Sequence, residues 1–345
     1  MKAAVLAGIR KIEIRDVPLP RLTDDADVLL RTSRAGICGS DIHYFNSDRV
    51  GDQIVRTPAI LGHECTAVVE SIGKQVKRLR PGDRVVVDPA VSCGTCDQCR
   101  TGRFHTCRHL RFLGYPGQKE GSLAEFFIIP EKNCFLLPGR MTMTEATLAE
   151  PLSIALYALQ LWDGRPDHSI GILGSGPIGL CLLLGAKSCG IREIFMTDRI
   201  EDRVGAAVKA GTLWAGNTEK KDIVTEILGR RPEGLNAVFE CCGDPAAVDQ
   251  AVELMKPGGS LFILGIPHVA RLSFDIGQLR RKEISIHNIR RQNRCLEKAI
   301  DMIADRRIDV NFLATHTFKL EEAQAAFETA AAYKDGVLKA SIVFG

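Results

Sequence analysis

Short hydrophobic runs, separated by glycine and proline, dominate the first 150 residues. Each has the length of a strand, and the runs recur at close spacing. They are Met1–Leu6, Val28–Arg31, Thr66–Glu70, Arg84–Val87 and Ala124–Ile129. The pattern predicts a β-rich, barrel-like domain.

The pattern changes after Pro151, where helical and strand periodicities alternate. An apolar helical stretch covers Leu152–Leu159. The runs that follow alternate between strand and helix: Ser169–Leu173, Pro177–Cys189, Glu193–Thr197, Arg203–Ala210, Ala237–Glu240, Pro245–Met255 and Ser260–Leu264. Such alternation is typical of a parallel α/β sheet with helices on its faces.

The alternation ends near Glu283–Ile286. Beyond it, the pattern predicts helices over Asn293–Ala304 and Leu320–Ala332 and a closing strand over Lys339–Val343. We therefore expect a first domain over residues 1–152 that carries the metal motifs described below. Residues 153–286 should form the parallel-sheet domain, and residues 287–345 should return to the first domain.

Composition and charge exclude several partners. The net charge of +3 over 345 residues gives no concentrated basic face for a nucleic acid. No apolar run approaches the roughly 18 residues needed to span a bilayer. Because no apolar leader with a cleavage site precedes the first strand, we expect reduced thiols and a cytoplasmic location.

Four cysteines lie close together in the first domain. Cys93, Cys96, Cys99 and Cys107 are spaced as C-x-x-C-x-x-C-x7-C. Four thiolates at such spacing are typical of a closed tetrahedral zinc site that stabilises structure. The alternative is a pair of disulfides or scattered buried thiols, which a reducing compartment disfavours.

A second set of metal-ligating residues is more widely separated. Cys38 lies within Gly36–Asp41, and His63 lies within Gly62–Glu64. A separated thiolate and imidazole are typical of a metal site that keeps one coordination position open for substrate. We therefore expect one site that stabilises the fold and another that does chemistry.

A glycine-rich turn, Gly174–Gly179, follows a predicted strand and opens a predicted helix. Gly174 would permit the tight turn, Gly176 would let a pyrophosphate approach the backbone, and Gly179 would bring the helix close to the strand. The free N–H groups at the helix N-terminus would bind the phosphates. The context predicts dinucleotide binding, and a glycine-rich turn without a ligand is the alternative.

Asp198 ends the next predicted strand, nineteen residues after Gly179. A carboxylate there accepts hydrogen bonds from ribose hydroxyls and repels a 2′-phosphate, which favours NAD over NADP. Arg199 and Arg203 could neutralise such a phosphate, although solvated charges at a helix start are the simpler interpretation.

Four further residues are candidates for contact with the dinucleotide. Pro177 and Ile178 belong to the glycine-rich turn, while Gly265 and Ile266 follow the strand that ends at Leu264.

The motifs together resemble the zinc-dependent medium-chain alcohol dehydrogenase family, and within it the polyol branch typified by sorbitol dehydrogenase. The resemblance covers the whole chain, in the family's order and spacing. It rests on Gly36–Asp41, Gly62–Glu64, the four cysteines from Cys93 to Cys107, Glu150–Leu152 and Gly174–Gly179. It implies a Rossmann-type doubly wound parallel sheet joined to a β-rich, chaperonin-10-like catalytic domain.

The resemblance also implies the ligands of a catalytic zinc. Cys38 and His63 would bind it with Glu64 as a third protein ligand, and Asp41 would orient His63 or the loop. In the simple-alcohol branch a cysteine occupies the position that looks like Glu150. Glu150 would therefore ligate directly, bind through a water or exchange with Glu64. Alternatively, Glu64 only orients the histidine.

A proton relay is implied next to the first ligand. Ser40 and His43 resemble the family's relay, in which the hydroxyl takes the alcohol proton and the imidazole passes it to solvent through the cofactor ribose. A surface histidine is the alternative for His43. Tyr44 resembles the tyrosine that binds a distal substrate hydroxyl in polyol enzymes, although taken alone it would more often serve packing.

Arg290, Arg291 and Arg294 fall where the resembling enzymes carry an arginine that contacts substrate, and Arg291 is the candidate for that contact. Its neighbours Arg290 and Arg294 exceed the polyol pattern, so the run could bind a carboxylate and indicate a sugar acid. Solvated charge or a subunit contact is the alternative.

We therefore expect a dehydrogenase that uses zinc and NAD to oxidise a secondary hydroxyl of a polyol, sugar or sugar acid to a ketone. The resemblance implies a homodimer or homotetramer acting on a small molecule. An L-threonine 3-dehydrogenase-like or diol dehydrogenase remains an alternative. From a different class, an NAD-binding redox sensor could use the four cysteines as a zinc module, but it would need no open metal position.

Overall fold

The computed structural model describes residues 1–47, 49–50 and 53–345, with the backbone alone described for residues 49, 50 and 53. Contacts within the chain divide it into two units. The first unit combines Met1–Glu150 with Leu296–Gly345, and the second is the continuous stretch Pro151–Cys295. The domain boundaries expected at residues 152 and 286 stay a prediction.

The first 150 residues contain mostly short strands. The elements are β1 (Lys2–Gly8), β2 (Lys11–Asp16), β3 (Asp27–Gly36), α1 (Gly39–Asn46), β4 (Arg49–Val50), β5 (Gln53–Ile54), β6 (Ala59–Ile60), β7 (Glu64–Ile72), β8 (Arg84–Val87), β9 (Ala90–Val91), α2 (Asp97–Arg100), β10 (Arg111–Phe112), β11 (Phe126–Pro130), β12 (Cys134–Leu136) and α3 (Met143–Thr147).

Strands and helices alternate in the next part of the chain. The elements are α4 (Ala149–Leu161), β13 (Ser169–Leu173), α5 (Pro177–Ser188), β14 (Glu193–Asp198), α6 (Glu201–Lys209), β15 (Trp214–Asn217), α7 (Ile223–Arg230), β16 (Leu235–Glu240), α8 (Pro245–Leu254), β17 (Met255–Ile263), α9 (Ile276–Lys282) and β18 (Ser285–Asn288). The return to the first unit adds α10 (Leu296–Ala304), β19 (His316–Lys319), α11 (Ala323–Ala331) and β20 (Ala340–Val343).

A seven-stranded sheet organises the first unit. Its strands follow the order β12-β8-β7-β3-β20-β19, and β11 also pairs with β3. Leu30, Leu123 and Phe127 are buried in its core together with Phe327 of α11. Because β20 lies beside β3, the returning segment completes the sheet from which the first metal motif emerges.

A six-stranded parallel sheet organises the second unit. Its order is β15-β14-β13-β16-β17-β18, and every pairing in it is parallel. The order reverses at β13, whose five residues are all buried. This is the doubly wound arrangement of dinucleotide-binding proteins, in which ligands bind outside the carboxyl ends of the strands at the reversal. The predicted fold class is confirmed.

The helix expected from Asn293 begins three residues later, at Leu296. Arg294 has a φ of 59°, which lies in the left-handed region that a right-handed helix does not use. The predicted start of that helix was therefore wrong. None of the helices in the described part of the chain reaches the length and hydrophobicity that crossing a bilayer requires.

Candidate active site and metal centres

The four clustered cysteines point their sulfur atoms at one another. Short α2 begins just after Cys96 and carries Cys99 at its third position, while Cys107 returns from a 3₁₀ turn. Four sulfur pairs among Cys93, Cys96, Cys99 and Cys107 are separated by 3.5, 3.6, 3.9 and 3.9 Å. A disulfide requires about 2.05 Å, so the disulfide alternative is wrong.

The spacing of these sulfurs suits a tetrahedral metal. Zinc–sulfur bonds of about 2.3 Å place the sulfurs of a tetrahedral site ~3.8 Å apart. Hydrogen bonds from the backbones of Thr95 and Cys96 lower the pKa of Cys93 to about 5, which favours the thiolate that metals bind. The residues present therefore fit a closed structural zinc site.

The second candidate ligand set is assembled by two neighbouring strands. Cys38 follows the end of β3, and His63 and Glu64 stand at the start of β7, where Gly36 pairs with Glu64. One ligand atom from each of Cys38, His63 and Glu64 lies within 4.8 Å of the others. Three protein donors leave one position of a tetrahedral site open, which fits a catalytic zinc better than a structural one.

Asp41 contacts two members of this ligand set. It is completely buried, its Oδ2 accepts the backbone N–H of Cys38 at 2.9 Å, and its Oδ1 lies 3.6 Å from Nδ1 of His63. Burial alone would lower the pKa of His63, but Asp41 and Cys38 raise it well above its usual value. A metal ion binding at the imidazole would therefore displace a proton.

Glu64 makes the strongest polar contacts of the set. Its two carboxylate oxygens accept from Nζ of Lys339 at 2.8 and 2.6 Å, and Nζ also donates to the carbonyl of Ile37 at 3.2 Å. Both side chains are buried, at 1% and 4% exposure. A Cβ at position 36 would lie 2.6 Å from Oε2 of Glu64, so Gly36 makes room for the carboxylate.

Glu150 lies at the beginning of α4, close enough to interact electrostatically with His63 and Glu64. Burial raises its pKa to about 8, the neighbouring carboxylates of Glu64 and Asp88 add to the rise, and His63 and Lys339 oppose it. Glu150 is not part of the tight ligand set. Among the described carboxylates, the geometry therefore favours Glu64 as the near donor.

The expected relay residues share helix α1. Ser40 and His43 are three positions apart and half-buried, so they occupy one face of the helix that starts beside Cys38. Tyr44, one position after His43, is buried, and its ring meets that of Tyr115 edge-on at 6.0 Å. The ring of Tyr44 therefore contributes to packing, and its contact with substrate stays a prediction.

The glycine-rich turn has the expected geometry. Gly174 has a φ of 105°. A Cβ on Gly179 would lie 1.9 Å from the carbonyl oxygen of Gly174, and a Cβ on Gly176 would lie 3.3 Å from a guanidinium nitrogen of Arg203. Pro177 is the first residue of α5, and Gly176 is the N-cap residue before it. The turn is a cradle in which the second glycine faces a positive charge, as a pyrophosphate requires.

Asp198 lies next to this turn at the end of β14. Its Oδ2 accepts the backbone N–H of Ser175 at 2.8 Å, and its Oδ1 accepts that of Ile200 at 2.9 Å. A carboxylate oxygen has more than one lone pair, so both oxygens keep capacity for ribose hydroxyls. Arg199 is exposed and Arg203 half-buried.

Two more loops meet at the carboxyl edge of the sheet. A Cβ on Gly265 would lie 2.2 Å from the backbone nitrogen of Gly243, and one on Gly243 would lie 2.4 Å from the carbonyl oxygen of Ile266. Glu240, at the end of β16, accepts the backbone N–H groups of Cys242 and Gly243, each at 2.6 Å. The candidates Gly265 and Ile266 thus lie beside the loop that follows β16.

Arg291 lies in the irregular segment before α10 and is half-buried, whereas Arg290 and Arg294 are exposed. The structure places Arg291 in the second unit and Tyr44 in the first.

Sequence reasoning missed two features of the sites. The sequence pattern predicts Lys339 only as the first residue of a closing strand. Its position as the one charged residue in the run Lys339–Val343 was a signal for a buried charge. The loop from Glu240 to Gly243 was also missed. Its signal was a carboxylate, two cysteines and a glycine directly after a strand.

A dinucleotide-type parallel sheet on the same chain as an open metal site defines a class of protein, the zinc- and dinucleotide-dependent oxidoreductases. Residues 24–139 match the family model of the alcohol dehydrogenase GroES-like domain, and residues 177–305 match that of the zinc-binding dehydrogenases. The chain therefore belongs to the zinc-dependent medium-chain alcohol dehydrogenases, enzymes whose cofactors are zinc and a nicotinamide dinucleotide.

Individual proteins agree with the family models. A sorbitol dehydrogenase from Bacillus subtilis (strain 168) is 34% identical over 343 residues, covering 99% of this chain and 97% of its own. An L-idonate 5-dehydrogenase from Vitis vinifera is 33% identical over 336 residues, covering 95% and 91%. The solved alcohol dehydrogenase from Thermus sp. ATN1 superposes with a TM-score of 0.92 at 29% identity, covering 99% of both chains.

The two metal centres should respond differently to loss of one thiol. Cys96→Ser removes a ligand of the closed site and should cost folding or assembly, because binding energy at structural zinc is folding energy. Cys38→Ser should leave a folded protein without turnover. Zinc content, circular dichroism and NAD reduction would be measured for both, with Cys189→Ser, an exposed thiol outside both sets, as control. A Cys38→Ser enzyme that kept its turnover would refute the assignment.

Lys339 should be essential for stability. Lys339→Met leaves the Glu64 carboxylate buried without its partner, and breaking a buried pair from one side costs about 3–5 kcal/mol. Urea unfolding of the zinc-loaded protein should show this loss, and Lys319→Met, an exposed lysine on β19, should show almost none. A Lys339→Met midpoint equal to that of the wild type would contradict the proposed importance of the pair.

Proposed function

We propose that this enzyme oxidises a secondary hydroxyl of a polyol, a sugar or a sugar acid to a ketone and transfers the hydride to NAD. The observation that carries the proposal is helix α1, which begins beside the ligand thiol of Cys38 and presents Ser40 and His43 on one face. A protein that only sensed a dinucleotide would need neither an open metal position nor a proton relay. The sorbitol and L-idonate dehydrogenases among its relatives support the substrate class.

Zinc bound by Cys38, His63 and a carboxylate would supply Lewis-acid polarisation of the substrate hydroxyl, and the nicotinamide would supply the hydride acceptor. The remaining work falls to the side chains. We propose that Ser40 accepts the hydroxyl proton and that His43 passes it to solvent, because both lie on one face of α1 and an imidazole titrates near neutral pH.

The two glutamates have different proposed roles. Glu64 lies in the ligand set, and its charge is balanced by Lys339. Burial raises the pKa of Glu150 to about 8, so its carboxyl group exchanges a proton near neutral pH. We propose that it exchanges with Glu64 at the metal or binds the metal through a water. A second anionic donor close to the metal would be costly unless the dication were present to offset it.

NAD is the proposed dinucleotide. Asp198 is a buried carboxylate at the end of β14. A carboxylate at this position accepts hydrogen bonds from the ribose hydroxyls and repels a 2′-phosphate. The backbone of the glycine-rich turn, Gly265 and Ile266 are the proposed cofactor contacts of the surrounding loops. Arg203 lies against Gly176, which supports a contact with the pyrophosphate rather than with the ribose.

The substrate contacts are proposed to be Tyr44 and Arg291. Arg290 and Arg294 flank the latter and would favour a substrate with a carboxylate, because guanidinium groups bind carboxylates in a planar, bidentate manner. A sugar acid is therefore the second candidate within the same reaction class.

A substrate panel tests the function. Purified enzyme would be assayed for NAD or NADP reduction with polyols, sugar acids, diols and L-threonine, before and after chelation. We expect chelator-sensitive reduction of NAD with one polyol or sugar-acid group, and a strong loss in Ser40→Ala. Turnover of L-threonine alone would move the enzyme to the alternative branch, and chelator-resistant turnover would refute the zinc mechanism.

We also propose that the chain forms a homodimer or homotetramer. Strand β18 pairs with β17 on one side, and no described strand pairs with its other edge. An uncovered edge strand is a ready site for pairing with another chain. Sedimentation velocity should give a mass of two or four chains of 37.7 kDa, and a monomer at micromolar concentration would disprove the proposal.

A further inference from the structure

The first unit contains a cavity of about 480 Å³ that the catalytic scheme does not use. Its lining comes from β1, β2, β6 and β11 and from the loops beside them. None of the metal-ligand candidates, and none of the relay residues, belongs to this lining. The volume lies within the roughly 300–1,000 Å³ range of small-molecule sites.

Strand β11 explains why the cavity is apolar. Phe127 and Ile129 point into the main core and are buried, whereas Phe126 and Ile128 alternate with them and are only half-buried. An antiparallel strand with one solvated face normally carries polar residues on that face. Here the apolar residues Phe126 and Ile128 take those positions and line the cavity. Both faces of β11 are therefore apolar.

The opposite wall is also apolar. Val5 of β1 belongs to a small buried cluster against which Val17 and Ile60 pack, and all three line the cavity. Pro18, Pro20 and Pro58 complete the wall. Proline has a fixed φ and few conformations to lose, so this wall is preformed rather than assembled by a ligand.

Lys119 provides the cavity with a positive charge. Its side chain is half-buried, and its ammonium makes no hydrogen bond and has no carboxylate oxygen within 4.0 Å among the described residues. Burial lowers its pKa, attraction to Asp27 opposes that effect, and repulsion from Arg111 adds to it. A partly desolvated ammonium gains most from an anion that enters beside it.

The other charges of the lining are already engaged. Arg15 donates to the carboxylate of Glu13 at 2.8 and 2.6 Å. Glu120 accepts the backbone N–H of Ile60 at 3.1 Å through Oε2. The α-ammonium of Met1 donates to the carbonyl of Val17 at 3.0 Å. Among the cationic side chains of the lining, Lys119 is thus the one without a carboxylate partner among the described residues.

We propose that this cavity binds a small amphiphilic carboxylate, with its apolar tail against Val5, Val17, Phe126 and Ile128 and its carboxylate on Lys119. An apolar cavity with a few polar groups that fix orientation is the usual form of a small-molecule site. An uncharged apolar molecule would pack against the walls but would leave the Lys119 ammonium without an anion. A short anion would pair with Lys119 but would leave the apolar walls uncovered. The site is independent of the dehydrogenase reaction.

Titration calorimetry of the zinc-loaded, full-length enzyme tests the proposal with octanoate as probe. Octanol tests the tail alone and acetate the head alone. We expect octanoate to bind more tightly than either. Lys119→Met, which keeps the stem and removes the charge, should weaken octanoate by at least about tenfold and leave octanol nearly unchanged.

A second variant acts on the walls instead of the charge. Val17→Trp fills the cavity from its half-buried rim and should abolish binding of both octanoate and octanol. Lys74→Met, an exposed lysine of the same unit outside the lining, should bind octanoate like the wild type. Thermal unfolding shows whether Lys119→Met and Val17→Trp are folded. If one of the two is not folded, octanoate binding to the other tests the proposal.

Two results would overturn the proposal. Octanoate binding that is unaffected by Lys119→Met and Val17→Trp would place the ligand elsewhere, including at the metal. A Val17→Trp protein that sediments as a smaller assembly, with a wild type that ignores octanoate, would show that a second copy covers the groove.

Discussion

The buried ion pair between Lys339 and Glu64 is the interaction on which the metal-binding unit depends. Each charge is tolerable out of water only because the other is within 2.8 Å. The pair connects the segment that precedes β20 to the first residue of β7, and Nζ also binds the carbonyl of Ile37, next to Cys38. The returning segment therefore helps to hold two ligands of the open site in place.

The charges around the open site favour a cation at its centre. Cys38, Asp41, Glu64 and Glu150 supply potential negative charge, and Lys339 balances one of them. Asp41 and Cys38 raise the pKa of His63, whereas burial is the main cause of the raised pKa of Glu150 and the nearby carboxylates of Glu64 and Asp88 add to it. A dication held by Cys38, His63 and Glu64 would supply positive charge at this site and would compete with protons for the same donors. The ligand set is thus arranged for a metal by its electrostatics as well as by its donor atoms.

Local spacing could be predicted from the sequence, and pairings between distant residues could not. The cysteines from Cys93 to Cys107 and the glycines from Gly174 to Gly179 each act within one short segment, so their spacing indicated their geometry. Lys339 contacts Glu64 across 275 positions, and no periodicity reports such a contact. The early helix start at Asn293 failed for a local reason, since one left-handed arginine, Arg294, interrupts the pattern. Strand β15 was missed because its four residues include Gly216 and Asn217, which strands disfavour.

The discontinuous first unit has a consequence for synthesis. At about 5–20 residues per second, a ribosome adds Lys339 roughly 14–55 s after Glu64. During that interval the carboxylate has no ammonium partner, whereas the continuous stretch Pro151–Cys295 is finished and can fold as a domain. The nascent enzyme can therefore complete its nucleotide-binding unit before its metal-binding unit, and the open site of Cys38, His63 and Glu64 gains its buried counter-charge only in the last part of translation.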